Sequence, residues 1–357
     1  MKFGRTFPDL IGEIERQLST KLDMTVPTHL MRHETSDGGN AMLSLEMPDG
    51  IKRFSVTENC RRQLADRLKI PFTYFERMRT DQPALLDRNV NTWLHEEPEQ
   101  RLVRTLDGRA RAFLSDRYRR LDHFDLLKNV VPILKGLPGV RFESCDVTES
   151  NIYLKAVTDR VSFDLNPSVG DVVYAGVVIK NSETGQGSLS VQSLVYRLKC
   201  LNGLVVPDQG MRKAHIGRLS ESSTDEITVY RDDTLAADDV AFWMKVRDHV
   251  LSAVSEATFR VTAERMRSTL GIKLVGDPVK AVEHLAARYL LNEQERVGVL
   301  RELITEGDLT GFGMVNAVTH FAQADILTYE RASELEVIGG KMLSQTAAEW
   351  SELAEAA

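Results

Sequence analysis

The chain has 357 residues, of which 42% are hydrophobic and 27% charged, and its formal net charge is -7. This is the composition of an ordinary soluble globular protein, long enough for two domains or one large one. No apolar run approaches the roughly 18 residues of a membrane-spanning helix. The three cysteines, Cys60, Cys145 and Cys200, are odd in number and far apart, which argues against a disulfide framework or a zinc site. We therefore expect a protein of a reducing cytoplasm with no membrane partner.

Residues 1–100 are predicted to form a mainly helical N-terminal region with a small β element. Apolar residues at three- and four-residue spacing predict a helix over 8–22. A hairpin-like region follows, with Asp37-Gly38-Gly39 as its turn, a second arm near 41–47 and a further short run at 51–56. Thr57 is the expected N-cap of a helix that ends near Leu68, before predicted helices at 72–79 and 83–95.

Residues 101–218 are predicted to form a basic antiparallel β core with one helix. Three hairpins are expected, formed by 101–105 with 109–113, by 140–147 with 152–158, and by 171–181 with 188–201. The helix spans about 122–135 and ends at Gly136 and Pro138. The fold class is therefore α+β, with a central antiparallel sheet built from hairpins and packed helices.

Residues 219–357 are predicted to form an acidic, mostly helical C-terminal region. Helical spacing covers 236–266, 278–290, 293–306, 313–324 and 328 to the end, with Gly339-Gly340 as an interruption of the last helix. From 221 to 357 there are 13 basic and 24 acidic residues, a net charge of -11, so residues 1–220 together carry +4. Such asymmetry favours anion binding by the middle of the chain.

A basic segment in this acidic protein is the most informative feature of the sequence. Between Arg101 and Arg120 there are seven arginines and two acids, Asp107 and Asp116. Clustered guanidinium groups repel one another unless something anionic lies close to them. Two explanations stay open: the protein's own carboxylates, such as Asp116, Asp122 and Asp125, or an external polyanion.

Strand alternation predicts that Arg109, Arg111 and Phe113 share one face. The next arginines lie in a turn into a helix, where phosphate groups bind readily, and a tyrosine among them offers a ring on which bases stack. The predicted nucleic-acid contacts are Arg109, Arg111, Arg117, Tyr118, Arg119 and Arg120, extended by Arg197, Lys199, Arg212, Lys213 and His215.

The other groups of polar residues in the sequence give weaker evidence for a functional site. The segment Asn181-Ser-Glu-Thr-Gly-Gln-Gly187 lacks the ending of a phosphate-binding P-loop and is interpreted as a hairpin turn. His29 and His33 as metal ligands, and the carboxylate pairs Asp232-Asp233 and Asp238-Asp239, are open but unfavoured alternatives. No catalytic set of residues, no metal and no cofactor is predicted, so an enzyme is not the favoured interpretation.

Several segments together resemble the phage- and plasmid-encoded family called domain of unknown function 932. They are residues 57–93, 109–122, 181–187, 200–203 and 313–319, within a likeness that spans roughly 50–340. The resemblance implies a mobile-element protein in a bacterial host cytoplasm, and it implies no reaction. A weaker, fold-level likeness to single-strand annealing proteins of the Rad52 type implies rings or filaments that hold DNA in a basic groove.

The sequence thus predicts a non-enzymatic protein of a phage or plasmid that binds single-stranded nucleic acid and anneals strands in recombination, as a homo-oligomer. The alternative is a protein-interaction module of a mobile element, which engages a host defence or replication protein through residues 221–357.

Overall fold

The computed structural model describes residues 1–166, 171–213 and 232–355. In this part of the chain the helices are α1 (Phe7–Thr20), α2 (Glu58–Arg67), α3 (Phe72–Asp81), α4 (Pro83–Glu96), α5 (His123–Lys135), α6 (Asp232–Ala253), α7 (Glu256–Thr269), α8 (Pro278–Tyr289), α9 (Glu293–Glu306), α10 (Gly311–Phe321), α11 (Tyr329–Leu343) and α12 (Ala347–Glu355). The strands are β1 (Leu22–Pro27), β2 (Met31–Thr35), β3 (Ala41–Met47), β4 (Gly50–Val56), β5 (Gln100–Leu106), β6 (Arg109–Ser115), β7 (Val140–Val147), β8 (Asn151–Asn166), β9 (Asp171–Ser182), β10 (Leu189–Arg197) and β11 (Asn202–Lys213).

The strands form two sheets. The first sheet has the order β1-β5-β6-β4-β3-β2, and its pairs are antiparallel except for a short parallel contact between β4 and β6. The second sheet has the order β11-β10-β9-β8-β7 and is antiparallel throughout. The predicted α+β class is therefore confirmed. The sequence analysis assigned hairpin β5–β6 to the β core of residues 101–218. In the structure β5 pairs with β1 and β6 pairs with β4, so this hairpin belongs to the sheet of the first hundred residues.

Each sheet buries one face under helices. In the first sheet, α2, α3 and α4 supply Leu64, Phe75 and Leu86 to a core that also contains Val103 and Phe113. In the second sheet, alternate side chains such as Ile152 and Val191 pack with α1, α5 and α6. The same face continues toward α7 and α10, where Val195 meets Phe259 and Phe312.

The opposite face of the second sheet carries Tyr153, Lys155, Val178 and Gln192, and α11 borders it. This helix approaches β11 so closely that a side chain at Gly340 would collide with the carbonyl oxygen of Val205. The sequence-based prediction that Gly339-Gly340 interrupts the last helix is wrong, because these glycines permit close packing and the helix continues to Leu343.

Helix caps account for several boundaries. The side chain of Thr57 accepts a hydrogen bond from the backbone of Cys60 at the start of α2, as predicted. The helix predicted over 236–266 is two helices, because Ser255 caps the start of α7. In the described residues, no helix combines the length and the apolar character that crossing a membrane requires.

Candidate nucleic-acid interface

Two arginines of the basic segment, Arg104 and Arg111, lie inside the molecule, where the first sheet meets the end of β9. Arg104 is fully buried, and its guanidinium contacts Asp23 at 2.8 Å and Asp122 at 2.5 Å. It also donates to the backbone carbonyl of Glu183 at 3.0 Å. Arg111 is 5% exposed and forms an ion pair with the Glu183 carboxylate. Both guanidinium groups are therefore neutralised within the protein.

Glu183 is the centre of this network, which we call the Glu183 cluster. Its members are Lys21, Asp23, Arg104, Arg111, Asp122, His123 and Glu183. Lys21 bridges Asp122 at 2.8 Å and Glu183 at 2.9 Å, and the backbone N–H of His123 donates to Glu183 at 2.6 Å. With three basic and three acidic side chains, the cluster joins β1, β5, β6, β9 and the start of α5.

Electrostatics in the cluster favour an ionised Glu183 and a neutral His123. Burial by itself would raise the pKa of the Glu183 carboxyl, but Arg111, Lys21 and Arg104 outweigh it and hold this pKa well below its usual range. Burial lowers the pKa of His123 to about 4, and Asn181 donates from its side-chain amide to Nδ1 of the imidazole at 3.2 Å. At neutral pH the imidazole is thus uncharged.

A β-bulge explains why Arg111 points inward. The register between β5 and β6 shifts so that Arg104 pairs with Ala112 and Thr105 with Ala110, which leaves Arg111 as the extra residue. Phe113 remains in the core under α2, while Arg111 reaches Glu183 beside Arg104. The expectation that Arg109, Arg111 and Phe113 share one face is therefore wrong, because the bulge breaks strict alternation.

The turn between β6 and α5 alternates anchored and exposed side chains. The hydroxyl of Tyr118 donates to the carbonyl of Ser182 at 3.2 Å, and burial raises the pKa of this phenol. Arg119 contacts Asp239 at 2.7 Å and lies over the ring of Phe242 at 4.5 Å. Tyr118 and Arg119 therefore hold the turn in place instead of facing solvent.

Arg117 and Arg120 of the same turn are exposed. Arg120 donates to the hydroxyl of Thr25 at 3.4 Å, at the long end of the hydrogen-bond range. Arg109 is 56% exposed and contacts Glu149 at 3.2 Å, a pair of the weak surface type. Among the five predicted arginines of residues 109–120, these three present a guanidinium group to solvent.

The later basic residues divide in the same way. Arg197 is buried, forms a two-point ion pair with Asp171 at 2.7 Å and lies over Phe312 at 4.9 Å, so it does not face solvent. Lys199 is exposed in the tight turn between β10 and β11. Arg212 and Lys213 end β11, where they pair with Ser190 and Leu189 of β10.

His215 lies outside the described residues. The strand end that holds Arg212 and Lys213 and the turn that holds Arg117 and Arg120 both border α6. Helix α6 packs on β10 and β11, and its Asp239 and Phe242 hold Arg119. The structure therefore places these two parts of the predicted set on one side of the molecule. Arg109 lies apart from them, beside the β7–β8 turn, and Lys199 lies at the opposite end of β10.

Sequence reasoning missed the acidic half of this region. Glu183 stands in the segment 181–187, which was interpreted as a hairpin turn, although Asn181, Ser182, Glu183 and Thr184 are all buried. One signal could have identified the ion pair of Glu183 with Arg111. Glu183 is an acid in a turn between β-branched strands, and the same chain has an arginine-rich segment that needs an acidic partner. Among the described residues, no group of three or more metal-ligating side chains converges.

Comparisons with known proteins give no relative on which this interpretation can draw: no family model, no curated protein and no solved structure matches the chain.

Proposed function

We propose that the protein binds single-stranded nucleic acid on the side of α6, with Arg117 and Arg120 as the first phosphate contacts. The observation that supports this most is the construction of the 115–122 turn. Tyr118 and Arg119 hold its backbone through Ser182 and Asp239. The two remaining guanidinium groups are therefore presented to solvent from an ordered backbone, and binding has to order only their side chains.

The sequence-predicted contacts Arg212 and Lys213, whose backbone ends β11, and His215, outside the described residues, are part of the same proposal. Single strands bind where a basic surface follows the phosphate backbone, and the affinity is sensitive to salt because counterions are released. The resemblance to the phage- and plasmid-encoded family adds the setting of a mobile element, and the likeness to annealing proteins adds strand annealing by an oligomer as the activity.

The buried arginines take a different part in this proposal. Arg104, Arg111 and Arg197 already have carboxylate partners, so they support the scaffold and contact no phosphate. The expected number of phosphate contacts is correspondingly smaller than the seven arginines of 101–120 would suggest.

The test is fluorescence anisotropy with a labelled oligonucleotide at low and at high salt. We expect binding at low salt that weakens steeply as salt is added, with a logarithmic slope of about -0.7 for each phosphate contacted. Absence of binding at low salt contradicts the proposal.

A second candidate function, a protein-interaction module, is favoured by one observation on α6. Val240, Met244 and Leu251 are 61%, 49% and 45% exposed, on the side of the helix away from the buried Phe242 and Val246. Exposed apolar residues at helical spacing are typical of a surface that another protein covers. Capture of a host protein from a nuclease-treated lysate, lost on changing Met244 to Glu, distinguishes this function from nucleic-acid binding.

A further inference from the structure

A cleft of about 390 Å³ lies on the far side of the second sheet from α6. Its floor is the sheet face that carries Tyr153, Val178 and Gln192, and its wall is α11 with the end of α8. The volume falls within the range of small-molecule sites, roughly 300–1,000 Å³. Because α6 packs on the opposite face of the sheet, the cleft is separate from the nucleic-acid surface proposed above.

A buried ion pair stands where the sheet meets α11. Nζ of Lys155 lies 2.6 Å from Oε2 of Glu336, and both side chains are fully buried. Both residues line the cleft. Replacing such a pair by apolar residues is often neutral or stabilising, so stability by itself is a weak reason for its presence.

Two polar atoms one turn apart on α11 lack a partner. Oε1 of Glu336 and Oγ of Ser333 are buried and make no hydrogen bond in the part of the chain that the structure describes. Glu336 is 0% exposed and Ser333 is 9% exposed, and both residues line the cleft. Since they are three positions apart, they lie on one face of the helix. Buried polar atoms without partners are rare, and two neighbouring ones beside a cavity indicate a ligand that supplies their hydrogen bonds.

The chemistry of these two atoms favours a ligand with hydroxyl groups. A carboxylate oxygen only accepts hydrogen bonds, whereas a serine hydroxyl both donates and accepts them. One ligand hydroxyl can therefore donate to Glu336, while a second one exchanges a hydrogen bond with Ser333. Hydroxyl groups on neighbouring carbon atoms of a sugar ring supply both contacts from one molecule, and ribose hydroxyls are bound by side-chain carboxylates in dinucleotide sites.

The charges around the cleft balance. Among the described residues, five basic and three acidic side chains line it. Two of the basic ones pair with acids just outside the lining, Arg288 with Glu349 and Arg331 with Glu295. With these two acids counted, the cleft has five charges of each sign. No excess charge attracts an ion, so an uncharged ligand fits best.

We propose that this cleft binds an uncharged sugar ring with neighbouring hydroxyl groups, supplied by a nucleoside or by a free pentose. The hydroxyl groups contact Glu336 and Ser333. Tyr289, Leu290 and Val337 give the cleft an apolar border, which suits the base of a nucleoside. Because both polar atoms are covered in the free protein, binding requires a change of rotamer at this border.

The test is isothermal titration calorimetry of the full chain with two pairs of compounds, adenosine with 2′-deoxyadenosine and ribose with 2-deoxyribose. Within each pair we expect the deoxy compound to bind about tenfold more weakly, because a hydrogen bond to a buried carboxylate is lost. Tighter binding of adenosine than of ribose identifies a nucleoside as the source of the hydroxyl groups, and any other order identifies a free sugar. Adenosine monophosphate should bind no more tightly than adenosine, since its phosphate meets no excess of positive charge.

Ser333→Ala and Ser44→Ala form a matched pair of variants. Both hydroxyl groups are buried without a partner in the described residues, but Ser44 lies on β3 of the first sheet. Each change should leave the melting temperature of the free protein unchanged or higher. Only Ser333→Ala should weaken binding of the preferred compound, by about twofold to tenfold, as expected for loss of one hydrogen bond.

A double variant tests the ion pair. Lys155→Met with Glu336→Leu replaces the pair by apolar residues, so the protein should stay folded while binding is lost. The proposal is overturned if none of the four uncharged compounds binds at millimolar concentration, or if the deoxy compounds bind as tightly as their partners. It is also overturned if adenosine monophosphate binds more tightly than adenosine, or if Ser333→Ala binds like Ser44→Ala.

Discussion

Two arginines only two positions apart, Arg109 and Arg111, have opposite environments, because one has a surface carboxylate and the other a buried one. Arg109 meets Glu149 at the surface, whereas Arg111 meets Glu183 in the interior. The same residue type can therefore serve as a phosphate contact or as part of the scaffold. Which role it has depends on an acid far away in the chain, whose position the fold determines.

Removing the Glu183 carboxylate should be strongly destabilising. Glu183→Gln leaves Arg111, Lys21 and Arg104 with too little negative charge in a buried site, and we expect the free energy of unfolding to fall by about 3–5 kcal/mol. The matched change is Glu149→Gln, at a carboxylate that is 54% exposed, which should cost no more than about 1 kcal/mol. Urea denaturation measures both, and equal losses would contradict the assignment of Glu183 as the centre of the cluster.

His123 should make the stability depend on pH. The pKa of its imidazole falls from the usual 6.5 to about 4 because the ring is buried. Between these values the unfolded chain binds a proton there and the folded chain does not, so the contribution is complete above pH 6.5 and is lost toward pH 4. At about 1.4 kcal/mol per pH unit, the free energy of unfolding should fall by about 3 kcal/mol over this window.

Denaturation of the unaltered protein and of His123→Gln, each measured from pH 7 to 4, tests this expectation. The variant should lose most of the pH dependence within the window. A parallel slope in both proteins would show that other groups are responsible. The low pKa of Glu183 adds a separate loss, which begins only below the usual carboxyl pKa of about 4.3.

Elements with strong local signals could be predicted from the sequence. Strand β3 and helix α9 occupy the predicted residues, 41–47 and 293–306, because alternation and helical spacing are local properties. Strand β11 and the bulge at Arg111 lie in hairpins of neighbouring strands, but Pro207 and Gly210 obscure the pattern of β11 and no local signal marks the register shift. The parallel contact of β4 with β6 could not be predicted, because it depends on a partner distant in the chain. For the same reason the arginine-rich segment was recognised while its neutralisation by Glu183 was not.

The close packing of α11 on β11 depends on glycine at position 340, which has no side chain to separate the two elements. Gly340→Ala should lower the free energy of unfolding by about 1–3 kcal/mol, because the new methyl group meets the carbonyl oxygen of Val205. Gly12→Ala is the matched control: Gly12 lies within α1 with open space around it, so alanine should stabilise the helix by about 0.5–1 kcal/mol. Melting curves of both variants test this, and a stabilising effect at both positions would contradict the described contact.

Helix α6 should weaken nucleic-acid binding through its own acids. Asp238 is 58% exposed and lies 3.6 Å from Arg119, which Asp239 still holds, so Asp238→Asn removes a negative charge near Arg117 and Arg120 and leaves the anchor of the turn in place. We expect about twofold to fivefold tighter binding of a single-stranded oligonucleotide, the equivalent of an exposed charge interaction of up to about 1 kcal/mol. Asp248→Asn, at an exposed acid further along the same helix, should have no such effect. Equal affinities of the two variants would place the binding surface elsewhere.

On the scale of the whole molecule, the basic middle of the chain is mostly an internal joint. The Glu183 cluster connects the two sheets, and its charges balance. An acid of the C-terminal helices neutralises a further arginine of the segment, since Asp239 of α6 forms an ion pair with Arg119. The proposed interface is therefore a small exposed remainder of the basic segment, and the account depends on Arg117 and Arg120.

The most direct test compares two double variants in salt-dependent anisotropy with a single-stranded oligonucleotide. Arg117→Ala with Arg120→Ala removes the proposed contacts. Arg32→Ala with Arg77→Ala removes two arginines that are 70% and 76% exposed on β2 and α3, at the other edge of the first sheet. The account predicts that the first variant alone binds weakly at low salt, with a slope reduced by about 1.4, and melts like the unaltered protein. Equal affinity in the two variants would contradict it.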